Sequence, residues 1–112
     1  VAIRLRGGEL FFAPPASLGF TNFSLRRAGI TDPITDQSFE DIRDAPGSAR
    51  YVTDRAVPIR AGASYVIRSR TSGRCTTFAK VQPLQVDVAA GTVQLRYAAS
   101  LFCGDTRLFA ED

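Results

Sequence analysis

Alternation of apolar and polar residues is the feature that most limits the folds open to this chain. It is clearest in residues 84–97, where apolar side chains recur at every second position on both sides of Ala90 and Gly91. Because successive side chains of a strand point to opposite faces, this period predicts two strands that each carry one apolar face. A turn at Ala90 and Gly91 would join them into a hairpin that pairs Val88 with Val93.

The same period predicts further strands along most of the chain. Extended segments are expected at residues 3–6, 9–12, 23–26, 51–59 and 65–70, with a loop over residues 28–37. Gly7 and Gly8 are expected to form the turn between the first two strands. Pro83 cannot donate a hydrogen bond to a strand ladder, so it is expected to mark a bulge, an edge or a break in the first strand of the hairpin.

One segment, residues 35–45, departs from this period and predicts a short helix. Thr35 or Asp36 can cap its start, Phe39 and Ile42 lie three positions apart, and Pro46 follows its end. The chain is therefore expected to be a single all-β domain over residues 1–112. The predicted architecture is a small antiparallel β-sandwich or a partly open barrel of about seven or eight short strands.

The two cysteines, Cys75 and Cys103, are expected to form a disulfide near the end of the 84–97 hairpin that lies opposite its turn. Closing a loop of about 29 residues would stabilise the fold by about 3–4 kcal/mol in the chain-entropy model. Disulfides persist in oxidising compartments, so we expect a periplasmic or extracellular protein whose signal peptide has been removed. The sequence contains no apolar run long enough for a transmembrane helix.

Composition excludes several classes of catalytic and metal site. The chain has no histidine, which removes the commonest general base, the usual serine and cysteine triads and most zinc sites. No cofactor or metal site is predicted, and no C-x-x-C redox motif is present. The net charge of +3 is too small to predict specific nucleic-acid binding.

A basic segment ends the strand predicted at residues 65–70 and lies next to Cys75. Arg68, Arg70 and Arg74 are candidate ligands for an anionic group or an acidic partner, because guanidinium groups bind carboxylate, sulfate and phosphate in a forked geometry. A solvated, positively charged hairpin tip is the alternative interpretation of the same residues.

Pairs of neighbouring apolar residues predict a contact surface for another protein. In a strand, one residue of each pair must leave the main core unless both faces are covered. The candidate interface residues are Phe11, Phe12, Phe102 and Phe109.

Three classes of function follow from these patterns. The first is a non-catalytic, exported structural or accessory domain, acting as a protein-interaction subunit of an envelope-associated or extracellular assembly. The second is a binding module for an anionic or carbohydrate polymer through the arginine-rich tip. The third is a hydrolase that uses only carboxylates, for which no spacing of acidic residues gives specific support.

Overall fold

A computed structural model describes residues 2–19, 28–69, 75–99 and 108. These residues contain eight β-strands and two 3-10 turns, Pro15–Leu18 and Ser48–Arg50. The strands are β1 (Ala2–Arg6), β2 (Glu9–Ala13), β3 (Gly29–Thr31), β4 (Tyr51–Val52), β5 (Val57–Pro58), β6 (Tyr65–Arg68), β7 (Phe78–Asp87) and β8 (Thr92–Ala99).

The strands form two antiparallel sheets, so the prediction of an all-β fold is confirmed. The small sheet has the order β1-β2-β5, and the large sheet has the order β4-β3-β6-β7-β8. Neither sheet closes on itself within the described ranges. The arrangement resembles a sandwich only loosely, because three strands cover part of one face of a five-stranded sheet.

The main core lies between the two sheets. Leu10, Phe12 and Val57 come from the small sheet, and they pack with Tyr65 and Val81 of the large sheet. The rings of Phe12 and Tyr65 meet edge to face with centroids 5.0 Å apart, a geometry that their ring quadrupoles favour. The Tyr65 hydroxyl also donates a 2.6 Å hydrogen bond to the Pro58 carbonyl, which ties the large sheet to β5.

A second, smaller core covers the opposite face of the large sheet. Val66 on β6 neighbours the main-core residue Tyr65, so its side chain points to the other face. It packs with Ile34, Ile42, Tyr51 and Leu108. Most of β6 is buried because the large sheet is covered on both faces.

The hairpin of β1 and β2 forms as its sequence predicts. Arg6 lies opposite Glu9, and the turn consists of Gly7 and Gly8 alone. Both glycines have positive φ, 57° and 80°, as a type I′ turn requires. A residue with a side chain at either position would be strained there, because the left-handed region favours glycine.

The predicted register of the β7–β8 hairpin is wrong. Val93 pairs with Val86 instead of Val88, because the connection spans residues 88–91. The Asp87 carboxylate accepts a 3.1 Å hydrogen bond from the Ala90 N–H group and so stabilises this longer turn. Gly91 has a φ of 68°, which closes it.

Of the bulge, edge or break expected at Pro83, the structure shows a bulge, since the register shifts between Pro83 and Gln85. Leu84 lies within the bulge, and its side chain is 56% exposed. Beyond the bulge Tyr97 pairs with Val81.

The helix expected over residues 35–45 is not shown. The segment is irregular and has one turn at residues 39–41, although Phe39 and Ile42 are buried as predicted. Two of its carbonyl oxygens have tertiary partners: Lys80 Nζ lies 2.5 Å from Phe39 O, and the Leu108 N–H group donates to Arg43 O at 2.7 Å. In a helix over residues 35–45, the Phe39 oxygen would instead accept a hydrogen bond from the Arg43 N–H group.

The sequence patterns missed β3 and did not separate β4 from β5. The loop predicted at residues 28–37 contains β3, and the extended segment predicted at residues 51–59 is split between β4 and β5, which belong to different sheets. Gly29 allows β3 to approach β4, since a Cβ atom at this position would lie 2.6 Å from Val52 O. The strand predicted at residues 23–26 lies outside the described residues.

Candidate binding surfaces

The outer face of the small sheet carries a basic cleft. Arg4 and Arg6 share this face because they are two residues apart on β1, and Phe11 lies opposite Arg4 on β2. The cleft has a volume of about 420 Å³, within the range of small-molecule sites. Its described lining residues are Arg4, Leu5, Arg6, Phe11, Ala13, Ser17, Leu18, Asp54, Arg55 and Ala56.

Two of the three arginines in the basic cleft have no acidic partner among the described residues. Arg55 forms a two-pronged ion pair with Asp32, with both N–O distances at 3.1 Å. Arg4 and Arg6 are exposed, and no described carboxylate lies within ion-pairing distance of either. The lining residues therefore have an excess of positive charge, even when Asp54 is included.

The opposite face of β1 leaves apolar side chains exposed. Ile3 pairs with Phe12 and Leu5 pairs with Leu10, so all four side chains point to the main-core face of the small sheet. Phe12 and Leu10 are 3% and 4% exposed, whereas Ile3 and Leu5 are 43% and 56% exposed. On this face, the side chains of β2 are therefore buried and those of β1 are exposed. We call Ile3 and Leu5 the open edge.

The structure places two of the four candidate interface residues, Phe11 and Phe12, on opposite faces of β2. Phe12 is buried against Tyr65, so it cannot contact a partner without unfolding the core. Phe11 points to the other face and is partly exposed in the basic cleft. Neighbouring residues of a strand face opposite ways, so one residue of this apolar pair leaves the main core. Phe102 and Phe109 lie outside the described residues.

The basic segment is only partly described. Arg68 is 7% exposed, and its guanidinium carbon lies 4.6 Å from the centre of the Tyr51 ring. Its side chain therefore packs in the second core and does not project into solvent. Arg70 and Arg74 lie outside the described residues, so anion binding by these two arginines stays a prediction.

The disulfide also stays a prediction, because Cys103 lies outside the described residues. Cys75 is partly buried, and no free cysteine is found in the part of the chain that is described. At the far end of the hairpin, Ala79 pairs with Ala99. If this register continued outward for four residues on each strand, Cys75 would lie opposite Cys103.

A buried cluster around Lys80 escaped sequence reasoning. Lys80 is 2% exposed, and its ammonium lies 4.4 Å from the centre of the Phe39 ring. Arg96 lies 4.3 Å from the same ring and forms a 2.7 Å ion pair with Glu40. A lone lysine among thirteen arginines is the only signal in the sequence that marks this position.

The electrostatics of this cluster follow from its burial and its charges. Burial lowers the pKa of the Lys80 ammonium, although the Glu40 carboxylate acts in the opposite direction. A backbone hydrogen bond and the Arg96 guanidinium lower the pKa of Glu40. Two cationic groups, Lys80 and Arg96, therefore lie near the Glu40 carboxylate, and none of the three residues lines the basic cleft.

Two tyrosines are buried with different hydrogen bonding. Burial raises the pKa of the Tyr51 phenol to about 12, and its hydroxyl is buried without a hydrogen-bond partner in the described part of the chain. Burial also raises the pKa of Tyr65. The Tyr65 hydroxyl, however, accepts a 2.9 Å hydrogen bond from the Arg60 N–H group in addition to donating one to Pro58.

No metal-binding group of three or more acidic or cysteine side chains occurs among the residues that are described. Within the same residues, no helix has the length and apolar character needed to cross a bilayer. Comparison with known proteins found no matching family model, no similar curated protein and no similar solved structure. The surfaces described above are therefore the basis for any functional argument.

Proposed function

We propose that this chain is a non-catalytic interaction domain that binds a protein partner along β1, as an accessory subunit of an assembly outside the cytoplasm. One observation carries the proposal: Ile3 and Leu5 face the same way as the buried Phe12 and Leu10, yet they are about half exposed. Apolar side chains that continue a core face without cover are typical of surfaces that a partner covers.

The ion pairs of two acidic residues and the small number of acids in the basic cleft support a non-catalytic role. Asp32 is paired with Arg55, and Glu40 is paired with Arg96. A glycosidase-type mechanism needs two carboxylates that face one cleft. Asp54 is the one acidic residue among the described residues that line the basic cleft. The lining therefore supports binding better than hydrolysis.

The proposed location outside the cytoplasm rests on the predicted Cys75–Cys103 disulfide. The extrapolated register of β7 and β8 supports the pairing of these two residues. A disulfide of this kind persists where the surroundings are oxidising. Reduction of the purified protein, described in the Discussion, tests this part of the proposal separately.

The interaction proposal is tested by the size of the native particle. The protein purified under native conditions from its source is expected to elute in a complex larger than its own monomer. Leu5→Asp is expected to release the chain from that complex. Leu84→Asp is a matched control, because both leucines are 56% exposed but Leu84 lies in the β7 bulge. A native protein that is monomeric throughout would refute the proposal.

A further inference from the structure

β1 forms one edge of the small sheet and offers backbone groups for pairing. The sheet order places β1 outside β2, with no further described strand beside it. In a two-residue hairpin the closing pair, Arg6 and Glu9, exchanges both backbone hydrogen bonds, and bonded pairs then alternate along the strands. The N–H and C=O groups of Ile3 and Leu5 therefore point away from β2.

The two faces of β1 specify which side chains a neighbouring strand must carry. Arg4 and Arg6 lie on the basic cleft face, and Ile3 and Leu5 form the open edge on the other face. In a paired strand, directly opposite residues share a face. A strand that alternates acidic and apolar residues would place carboxylates beside the arginines and apolar side chains beside Ile3 and Leu5.

Charge argues against a second copy of this chain as the occupant. If two β1 strands paired antiparallel with their faces continuous, arginines from the two copies would lie opposite arginines or beside them on one face. Like charges directly opposite one another in a sheet are destabilising. An acidic partner instead supplies the countercharge that Arg4 and Arg6 lack among the described residues.

We propose that β1 is the docking edge for an extended segment of a partner protein that alternates acidic and apolar residues and adds a fourth strand to the small sheet. Strand addition of this kind takes its affinity from main-chain hydrogen bonds and its specificity from alternate side chains. This inference rests on the proposed function and names the chemistry of the partner. It assigns the carboxylates to the basic cleft face and the apolar side chains to the open edge.

The test uses a synthetic peptide of about eight residues, a common strand length, in which Glu alternates with Val. Its binding is measured by fluorescence anisotropy at low and at physiological salt. The acidic peptide is expected to bind, with an affinity that falls as salt rises. The same peptide with Lys in place of Glu is expected not to bind, and so is a peptide with N-methyl groups along its pairing edge.

Charge reversal on the protein supplies the second arm of the test. Arg4→Glu combined with Arg6→Glu is expected to weaken binding of the acidic peptide by about tenfold or more, since two favourable charge pairs become repulsive. The same variant is expected to bind the Lys peptide. Arg50→Glu combined with Arg60→Glu is the matched control, because both residues are exposed and the change in net charge is equal.

Hydrogen exchange locates the peptide independently of its affinity. Strand addition is expected to slow exchange of the Ile3 and Leu5 amides, whereas simple charge attraction to the arginines would leave them unchanged. Failure of the acidic peptide to bind, or equal binding by both double variants, would overturn this inference. If Leu5→Asp still released the chain from its native complex, the proposed interaction along β1 would stand and only the strand-addition inference would fall.

Discussion

The Lys80 ammonium donates a hydrogen bond to the backbone carbonyl of Phe39, with 2.5 Å between Nζ and O. The two residues come from distant parts of the chain: Lys80 lies on β7, and Phe39 lies in the turn at residues 39–41. Lys80 also packs against the Phe39 ring, which Arg96 contacts as well. This contact holds a segment without regular structure on the outer face of the large sheet.

Replacing Lys80 with Met should destabilise the protein although it keeps an unbranched side chain. The Phe39 carbonyl would lose its buried hydrogen-bond donor, and an unsatisfied buried group costs about 1–3 kcal/mol. Urea unfolding should therefore show a lower free energy of unfolding for Lys80→Met. Arg43→Met serves as the control at an exposed position. Equal stabilities for the two variants would show that the hydrogen bond from Lys80 to the Phe39 carbonyl does not stabilise the fold.

Lys80 should also give the protein a specific alkaline pH dependence. Burial holds the folded-state pKa of Lys80 below its ordinary value of 10.5, so between these two values the unfolded chain binds more protons than the folded chain. Stability therefore rises with pH across this interval. The free energy of unfolding of the wild type minus that of Lys80→Met should increase as pH approaches 10.5. Parallel curves for the two proteins would contradict this prediction, because their tyrosines are the same.

The two buried tyrosines should respond oppositely to loss of the hydroxyl. Tyr51→Phe removes a buried hydroxyl that has no partner among the described residues, and it keeps the ring beneath Arg68. It should leave stability unchanged or raise it by about 1 kcal/mol. Tyr65→Phe leaves the Pro58 carbonyl and the Arg60 N–H group without their partner, so it should cost about 1–3 kcal/mol. Thermal unfolding of both variants checks this order, and the reverse order would refute it.

A methyl group at Gly29 should separate β3 from β4. Gly29→Ala would place a Cβ atom 2.6 Å from Val52 O, a backbone atom that can move only with its strand. Overpacking of this kind costs about 1–3 kcal/mol. Gly47→Ala is the matched control, since nothing lies within 4 Å of a Cβ at that position. Denaturant midpoints should fall for the first variant only; a similar fall for both would show that the close approach is not the cause.

The cysteine pair can be tested by intact mass. Reduction should raise the mass by that of two hydrogen atoms if Cys75 and Cys103 are joined, as the register of Ala79 with Ala99 predicts. Reduction should also lower the free energy of unfolding by about 3–4 kcal/mol, because it frees a loop of about 29 residues in the unfolded chain. An unchanged mass would remove the argument for an oxidising compartment.

The sequence predicted the elements whose side chains alternate over several positions. β1 is the example, since its alternation and the two adjacent glycines after it specify both the strand and the turn. The alternation also places Arg4 and Arg6 together on the face where the proposed partner would supply its carboxylates. It missed β3 and did not separate β4 from β5, because two or three residues are too few to show a period.

The helix prediction failed for a different reason. Residues 35–45 carry a reasonable capping and spacing pattern, and Phe39 and Ile42 are buried as that pattern requires. Local propensity is weak, however, and isolated short helices are marginal in water. Lys80 and Leu108 supply hydrogen-bond donors to Phe39 and Arg43 that no local pattern can show.

By itself, the sequence determined the β class, the faces of β1 and the irregularity of β7 at Pro83, because a period of two and the missing N–H of proline are local properties. Only the tertiary structure decided which of two equivalent positions is covered. Leu10 and Leu5 share a face and a pair, yet one is 4% exposed and the other 56%. The extent of the opposing sheet decides that difference, because burial depends on contacts with residues that are remote in sequence.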